Sequence, residues 1–200
     1  MLILASTSPT RKALMDKAGL DFITVAPEVD ERVVEARALG EGADGRDLAT
    51  LLARAKAEAV SKAHPEALVI GADQTLSLGT ELLHKPLDRL DAARQLDHLA
   101  GKTHRLHAAV ALMRGGELLW SDIETAELTM RSFSPEERDQ VLDLEGDAAL
   151  TSVGGYRLEG PSIRLFETVS GDYFTILGLP LLPLLAALRD IAPELLSTRA

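Results

Sequence analysis

Short apolar runs alternate with amphipathic segments along this chain, which is typical of strands alternating with helices. Residues 2–5 and 67–72 are continuous apolar runs of strand length, as expected for strands covered on both faces. Residues 47–63 carry apolar side chains at helical spacing, and Ser134-Pro135-Glu136-Glu137 is a capping box that opens another helix. We expect further strands at 22–25, 105–113 and 118–130, and further helices at 9–18, 87–100, 135–144 and 181–189.

Turn residues predict how these elements are connected. Arg114-Gly115-Gly116-Glu117 is typical of a hairpin turn, and residues 163–169 and 173–177 predict a second hairpin. The segment 32–45 contains three glycines and mixed charge, so we expect a loop, with or without a helical turn, that could act as a lid. We expect a frayed tail beyond Pro193. Strands that alternate with helices and also form hairpins predict an α/β fold on a mixed sheet.

The start of the first predicted helix is a candidate anion site. Ser8 and Pro9 match the N-cap and the first helical position, which places Arg11 and Lys12 in the first turn. A cation is unfavourable beside the positive end of a helix dipole unless an anion joins it, so the arrangement suits a phosphate. The alternative is that Ser6 and Ser8 only cap the helix while both cations are solvated.

Three further charged residues lie where they could serve the same site. Lys56 falls in the apolar row of its predicted helix, so it either belongs to a site or lies along the core with its ammonium in water. Asp73 follows the apolar run at a predicted strand end, where α/β proteins gather ligands, although an Asp there can also cap a turn. Lys85 is held extended by Pro86, on a segment that returns toward Asp73.

Composition narrows the classes of function. Two hundred residues fit one domain, and the net charge of −10 argues against a nucleic-acid polymer as the main partner. The chain has no cysteine, no apolar stretch long enough to cross a membrane and no secretory pattern, so we expect a cytoplasmic protein. P-loop, dinucleotide-binding and metalloprotease motifs are absent. His104 and His107, on opposite faces of a strand, are more typical of packing or surface residues than of metal ligands.

Five motifs occur in order along the chain: Ser-x-Ser-Pro-x-Arg at 6–11, Gly71-Ala72-Asp73, Lys85-Pro86, the glycine-rich loop before Glu159, and Gly171-Asp172-Tyr173-Phe174 followed by Gly178-Leu179-Pro180. In this order and spacing, from about residue 2 to residue 188, the chain resembles the Maf family of nucleoside triphosphate pyrophosphatases. The resemblance implies one Maf-like domain over residues 1–200, with two lobes and a cleft. The fold it implies is an α/β fold similar to that of Maf and ITPase proteins, with an elongated mixed β-sheet flanked by helices. The resemblance also implies that the protein is often a homodimer.

The activity implied by the resemblance is metal-dependent hydrolysis between the α and β phosphorus atoms, giving a nucleoside monophosphate and pyrophosphate. The implied site comprises the catalytic Asp73, a phosphate-binding loop of Ser6, Ser8, Arg11 and Lys12, the metal-site carboxylate Glu31, and the cleft lysines Lys56 and Lys85. The chemistry agrees, because Mg²⁺ or Mn²⁺ held by Glu31 and Asp73 would lower the pKa of a bound water and neutralise phosphate charge. Asp73 would then orient or deprotonate that water.

Three positions bear on the choice of base. The branch of the family that hydrolyses dTTP and UTP typically has Arg, Thr and Gln where this chain has Thr10, Gln74 and Glu159. Gln74 and Glu159 instead resemble the branch acting on 7-methyl-GTP, although that branch commonly carries an aromatic residue at the position of Thr10. A carboxylate can accept paired N–H donors from a guanine edge, so we expect a purine, modified-guanine preference.

Other interpretations remain open from the sequence. The chain could be a dTTP/UTP pyrophosphatase of the same family, or a non-catalytic nucleotide-binding regulator of septum formation. It could also be a phosphatase of monophosphates or another anhydride hydrolase that uses the same site. Retention of Asp73, Glu31 and the four cations favours catalysis over binding alone.

Overall fold

The computed structural model describes residues 1–196. Within that range the strands are β1 Leu2–Ala5, β2 Ile23–Thr24, β3 Leu68–Leu78, β4 Glu81–Leu83, β5 Thr103–Arg114, β6 Glu117–Met130 and β7 Phe166–Ser170. The helices are α1 Pro9–Lys17, α2 Glu31–Gly40, α3 Gly45–Ala63, α4 Arg89–Leu99, α5 Pro135–Glu145, α6 Tyr173–Ile176 and α7 Leu181–Ile191. Short 3₁₀ turns lie at Gly146–Thr151, Val153–Gly155, Pro161–Leu165 and Pro193–Leu195.

The strands form one mixed sheet in the order β2-β1-β3-β5-β6-β7, with β4 paired to β3. β1 runs parallel to both β2 and β3, whereas β4 is antiparallel to β3 and β7 is antiparallel to β6. The parallel strands need helical crossovers and the antiparallel ones follow from hairpins. The prediction of an α/β fold on a mixed sheet flanked by helices is confirmed.

The chain divides into two compact units. Among the described residues, the first unit comprises 1–74, 107–124 and 172–196, and the second comprises 75–106 and 125–171. In the first unit, alternate residues of β1 pack into two different clusters: Leu2 and Leu4 join residues of α1 and α7, while Ile3 packs with residues of α3. β1 is therefore covered on both faces, as its continuous apolar sequence predicts.

The second unit is built around α4, α5 and the ends of β5 and β6. Leu96 and Leu99 of α4 are fully buried in this unit. The same unit contains an aromatic cluster in which the Tyr156 ring contacts both His104 and Phe166 edge-on. His104 is 1% exposed and its Nε2 lies 2.6 Å from the Tyr156 hydroxyl, so this histidine is a packing residue.

Helix starts agree with the local sequence. Ser8 caps α1 by accepting a hydrogen bond from the backbone N–H of Arg11, with Pro9 at the first helical position. Ser134 and Glu137 form the reciprocal capping box of α5. Such caps satisfy backbone donors that the helix leaves unpaired, and they depend only on residues close in sequence.

Two sequence predictions were wrong. Residues 31–40 form α2 rather than a loop, because Asp30 caps the helix and its glycines cluster at the C-terminal end instead of interrupting it. Residues 173–176 form α6 rather than the second strand of a hairpin, because the Asp172 side chain accepts hydrogen bonds from the backbone N–H groups of Phe174 and Thr175. β7 pairs instead with β6.

Smaller differences concern element ends. β2 covers only residues 23 and 24 of the predicted strand. β3 continues past the apolar run to Leu78, so Asp73 lies inside a strand rather than beyond its end. Residues 193–195 form a 3₁₀ turn where a frayed tail was expected, and the remainder of that tail, residues 197–200, lies outside the described residues. Over the described part of the chain, no helix has the length and apolar character to cross a membrane.

Candidate active site

Gly71 allows α3 to lie directly against β3. A Cβ at this position would stand 2.2 Å from the backbone oxygen of Ala53 and 2.6 Å from the backbone nitrogen of Ala57. Both distances are shorter than any van der Waals contact, so only glycine permits this approach. Because residues two apart on a strand share a face, Asp73 points to the same side as Gly71, toward the helix that carries Lys56.

A buried lysine joins two carboxylates at this crossing. The ammonium of Lys56 lies 2.5 Å from Oδ1 of Asp73 and 2.8 Å from Oε1 of Glu31. The Lys56 and Asp73 side chains are 8% and 10% exposed, whereas the Glu31 side chain is 55% exposed. Burial of a charged side chain is unfavourable unless opposite charges compensate it. This explains why the Lys56 ammonium contacts two carboxylates.

The environment of Asp73 affects its proton affinity. Burial raises the pKa of the Asp73 carboxyl above its ordinary value, and the charges of Lys56 and Arg11 oppose that rise. A higher pKa makes the ionised carboxylate a stronger base. The arrangement suits a carboxylate that accepts a proton from water.

The turn between β1 and α1 carries the predicted phosphate loop. Ser6 is buried, and its hydroxyl accepts a hydrogen bond from the backbone N–H of Ser8 at 3.1 Å. Ser8 in turn caps α1. The two serines therefore fix the backbone at the N-terminus of α1, where unpaired N–H groups favour an anion.

Arg11 is held by backbone carbonyls. Its Nε donates to the Gly178 oxygen at 2.8 Å and one terminal nitrogen donates to the Ala72 oxygen at 2.9 Å. Burial lowers the pKa of the Arg11 guanidinium, while the charges of Asp73 and Glu31 act in the opposite direction. The guanidinium stays charged, since arginine does not lose its proton in proteins. Arg11 thus connects three segments and places a positive charge beside Asp73.

Gln74 is oriented by α6. Its amide nitrogen donates to the backbone oxygens of Thr175 and Ile176, both at 3.0 Å. Both donors of the amide are therefore used by the protein, and only the side-chain oxygen remains to contact a ligand. The hydroxyl of Thr175 lies 2.5 Å from a carboxylate oxygen of Glu124, which adds a second polar contact to α6.

The other predicted residues of the first unit are more open to solvent. Thr10 lies in the first turn of α1 and is half-buried. The Lys12 ammonium lies 2.6 Å from Asp16 on the same helix and 5.8 Å from the centre of the Phe22 ring. Its side chain is 54% exposed, so Lys12 is available to a ligand but is not part of the Lys56 group.

Lys85 and Glu159 belong to the second unit. Lys85 follows β4 and is exposed. Glu159 lies in the glycine-rich loop, with Oε1 3.5 Å from Nε of Arg157. The residues that the structure brings into direct contact are therefore Glu31, Lys56 and Asp73, with Ser6, Ser8 and Arg11 forming the adjacent turn.

The donor set fits a divalent cation that is bound together with a substrate. Across residues 1–196, no group of three or more His, Cys, Asp and Glu side chains is arranged to hold a metal. Mg²⁺, however, is usually held by only one or two carboxylates, with water and substrate phosphates completing its coordination. Glu31 and Asp73 are two such carboxylates, and the Lys56 ammonium lies between them.

Sequence reasoning assigned no structural role to several residues that position the site. Gly71, Gly178 and Thr175 contribute close approach or backbone oxygens, and Glu124 contributes a carboxylate. Backbone acceptors carry no residue-type pattern, so no local pattern could have identified them. Gly71 was noticeable, since a glycine inside an apolar strand indicates close approach of another backbone.

Known proteins resemble this chain over nearly its full length. A family model described as Maf-like protein matches residues 1–191. A protein of Brucella abortus biovar 1 (strain 9-941) named 7-methyl-GTP pyrophosphatase is 53% identical over 188 residues, 94% of each chain. One from Rhizobium johnstonii with the same name is 53% identical over 190 residues, 95% of this chain and 96% of the other.

A third relative carries a broader name. The nucleoside triphosphate pyrophosphatase of Rhodopseudomonas palustris (strain HaA2) is 52% identical over 189 residues, covering 94% of this chain and 93% of the relative. The family model therefore covers residues 1–191, and this relative is 52% identical over 94% of the chain. The chain belongs to the Maf family.

Proposed function

We propose that this protein hydrolyses nucleoside triphosphates to the nucleoside monophosphate and pyrophosphate in a metal-dependent reaction. The observation that carries the proposal is that the exposed Glu31 and the buried Asp73 both contact the buried Lys56 ammonium. The names of the relatives from Brucella and Rhodopseudomonas agree with this activity.

In the proposed reaction a water oxygen attacks the α-phosphorus and the bond from that phosphorus to the bridging oxygen of the β-phosphate breaks. Asp73 accepts the proton that the water loses, for which its raised pKa suits it. A divalent cation held by Glu31 and Asp73 would supply charge neutralisation and acidify the water when bound. Little further covalent chemistry is needed, because positioning and charge stabilisation dominate phosphoryl transfer.

The remaining predicted residues have binding roles in this proposal. Backbone N–H groups at the start of α1, fixed by Ser6 and Ser8, offer neutral donors to phosphate oxygens. Arg11 and Lys56 contribute fixed positive charge, and Lys12 contributes a mobile one. Lys85 is assigned to phosphate binding by the family resemblance.

We propose a modified guanine nucleotide such as 7-methyl-GTP as the preferred substrate. Gln74 and Glu159 support this choice, because they match the family branch acting on that nucleotide and differ from the dTTP/UTP branch. A carboxylate at 159 can pair with guanine N–H donors, whereas uracil and thymine present mainly acceptors. The half-buried Thr10 in place of an aromatic residue removes a stacking face, which favours a broader preference.

A substrate panel tests the function. We would measure hydrolysis of 7-methyl-GTP, GTP, UTP and dTTP with Mg²⁺ or Mn²⁺ and identify the phosphate product. Release of pyrophosphate with monophosphate supports the proposal, and release of orthophosphate alone contradicts it. Faster turnover of UTP and dTTP than of both guanine nucleotides would overturn the proposed substrate but not the reaction.

Substitution of Asp73 separates catalysis from binding. We expect Asp73→Asn to lower the turnover rate by at least about 100-fold, since general base catalysis contributes that much or more. Asp190→Asn, at an exposed position of α7, is the matched control. Equal turnover by wild type and Asp73→Asn would remove Asp73 from the mechanism. A wild-type protein that binds nucleotides but does not hydrolyse them would support the regulator of septum formation instead.

We also propose that the protein acts in the cytoplasm, on free nucleotides rather than nucleic acid, as a homodimer. The lack of cysteine suits a reducing compartment, and the net charge of −10 opposes binding to a polyanionic strand. The homodimer rests on the family resemblance, and light scattering of the purified protein at micromolar concentration tests it. A monomer mass would contradict this part of the proposal.

A further inference from the structure

The second unit contains a buried carboxylate that takes no part in the proposed reaction. Glu145 is the last residue of α5, and its side chain is 1% exposed. Its Oε1 accepts two hydrogen bonds from Ser162, one from the backbone N–H at 2.9 Å and one from the hydroxyl at 2.8 Å. Ser162 is itself fully buried. A carboxylate at the negative end of a helix dipole is unfavourable unless such partners compensate it, so this placement needs an explanation.

The same carboxylate restricts the backbone of the glycine-rich loop. A Cβ on Gly160 would stand 2.3 Å from Oε1 of Glu145. Any side chain at position 160 would therefore displace the carboxylate or the loop. Glu145 thus fixes the loop on its C-terminal side, through Ser162 and through the close approach of Gly160.

Arg157 lies between Glu145 and a second carboxylate of the loop. Its Nε is 3.8 Å from Oε2 of Glu145 and 3.5 Å from Oε1 of Glu159. That nitrogen is buried and, among the described residues, makes no hydrogen bond, so the contacts are electrostatic only. The Glu145 side chain is buried and hydrogen-bonded, whereas the Glu159 side chain is partly exposed. Because a buried charge is less screened by water, the position of the guanidinium depends on the negative charge of Glu145.

We propose that Glu145 is a positioning residue for nucleotide discrimination: it holds the loop through Ser162 and competes with Glu159 for Arg157. Because Arg157 is shared between the two carboxylates and its Nε hydrogen-bonds to neither, Glu159 retains oxygens that can accept N–H donors. This inference rests on the proposed function, in which Glu159 discriminates between bases. Without the charge of Glu145, Glu159 is the carboxylate that remains paired with Arg157 among the ion pairs of residues 1–196. The guanidinium then pairs with Glu159 and occupies the oxygens that a guanine edge would need.

Glu145→Gln tests the proposal, because glutamine keeps an oxygen that accepts from Ser162 but removes the charge facing Arg157. We would measure kcat and KM for 7-methyl-GTP and for UTP in wild type, Glu145→Gln, Glu159→Gln and the double variant. We expect the ratio of kcat/KM for 7-methyl-GTP over that for UTP to fall roughly threefold to tenfold in Glu145→Gln, in the range of coupling between neighbouring charged residues. The change should lie in KM for 7-methyl-GTP, with kcat nearly unchanged.

The double variant shows whether Glu145 acts through Glu159. In the Glu159→Gln background, Glu145→Gln should leave the ratio unchanged, since the group it acts on is already absent. Asp143→Asn is the matched control on the same helix, at a side chain that is 72% exposed and paired with Arg89, and it should leave both kinetic constants unchanged.

Hydrogen exchange of the Ser162 amide separates positioning from loss of folding. Glu145→Gln should retain slow exchange at Ser162, whereas Glu145→Ala should lose it together with the discrimination. An unchanged ratio in Glu145→Gln, or equal losses of kcat for both nucleotides, would overturn this inference while leaving the proposed hydrolysis intact. A wild-type protein that hydrolyses neither nucleotide would overturn the proposed function and this inference with it.

Discussion

Lys56 and Asp73 form an ion pair inside the first unit, with 2.5 Å between Nζ and Oδ1 and about a tenth of each side chain exposed. The pair exists because Gly71 lets α3 approach β3, and because Asp73 lies two residues beyond that glycine on the same face. The more exposed Glu31 completes the group from the first turn of α2. Four predictions follow from this geometry and from the buried histidine of the second unit.

Removal of the lysine charge should destabilise the protein and increase its response to metal. Lys56→Met leaves the buried Asp73 carboxylate without its ammonium partner, which should cost about 3 kcal/mol of unfolding free energy. Since the two carboxylates are then free, Mn²⁺ should raise the melting temperature of the variant more than that of wild type. Thermal unfolding with and without Mn²⁺ measures both effects.

Lys62→Met is the control for that experiment. Lys62 lies on the same helix, pairs with Glu58 one turn away and is 64% exposed, so its loss should change neither stability nor metal response appreciably. Should Mn²⁺ stabilise Lys56→Met no more than wild type, the assignment of Glu31 and Asp73 as metal ligands would be wrong.

A methyl group at position 71 should separate α3 from β3. In Gly71→Ala the new Cβ meets the backbone of Ala53 and Ala57, so the helix must move, at a cost of about 1–3 kcal/mol. The movement also pulls Lys56 from Asp73, so hydrolysis should fall more than stability alone explains. Urea unfolding and turnover at a temperature where the variant is fully folded distinguish the two effects. Gly40→Ala, where a Cβ has open space, is the control, and equal activity of Gly71→Ala and wild type would contradict the prediction.

Replacement of Arg11 should show that its geometry matters as well as its charge. Arg11→Lys keeps the positive charge but cannot reach the oxygens of Ala72 and Gly178 with two separate donors. We expect a loss of about 2 kcal/mol of unfolding free energy, measured by urea denaturation, because a buried carbonyl loses a charged partner. Arg37→Lys, at a guanidinium that is 80% exposed, should be neutral. Full stability of Arg11→Lys would mean that the two backbone contacts contribute nothing.

The stability of the protein should fall with acid because of His104. Burial lowers the pKa of His104 from 6.5 to about 4 in the folded protein, so the unfolded chain binds a proton first as pH falls. Neutral His104 makes its full contribution to the unfolding free energy above pH 6.5. As the pH falls from 6.5 to about 4, the unfolding free energy should decrease by about 3 kcal/mol in total. Denaturation at a series of pH values measures this loss.

His104→Gln should flatten that pH dependence, since glutamine can still bond to the Tyr156 hydroxyl but does not titrate. His98→Gln removes a half-exposed histidine that pairs with Glu81 and should leave the slope nearly unchanged. If the unfolding free energy of His104→Gln depends on pH as steeply as that of wild type, the loss of stability in acid is caused by other groups.

Local sequence predicted most of the elements. Ser8 with Pro9 and Ser134 with Glu137 identify helix starts because a cap needs only residues within one turn. The continuous apolar runs of β1 and β3 predict strands covered on both faces for the same local reason. The errors at α2 and α6 arose where Asp30 and Asp172 act as caps in segments otherwise typical of a loop and a strand.

The candidate site was only partly predictable. The residue types were visible in the sequence, as were the position of Lys56 in the apolar row of its helix and the N-cap that places Arg11 in the first turn. The partners of Arg11 were not visible, because they are backbone oxygens 61 and 167 residues away. The partners of Gln74 were not visible for the same reason, since its amide nitrogen donates to backbone carbonyls of α6.

The sequence by itself therefore determined the elements, the α/β class and the set of charged residues, because these depend on periodicity, capping and side-chain chemistry over short distances. Only the tertiary structure decided that Glu31, Lys56 and Asp73 share one buried contact and that Arg11 is fixed by backbone oxygens. The physical reason is the crossing of α3 over Gly71, where the absence of a single methyl group lets distant parts of the chain meet.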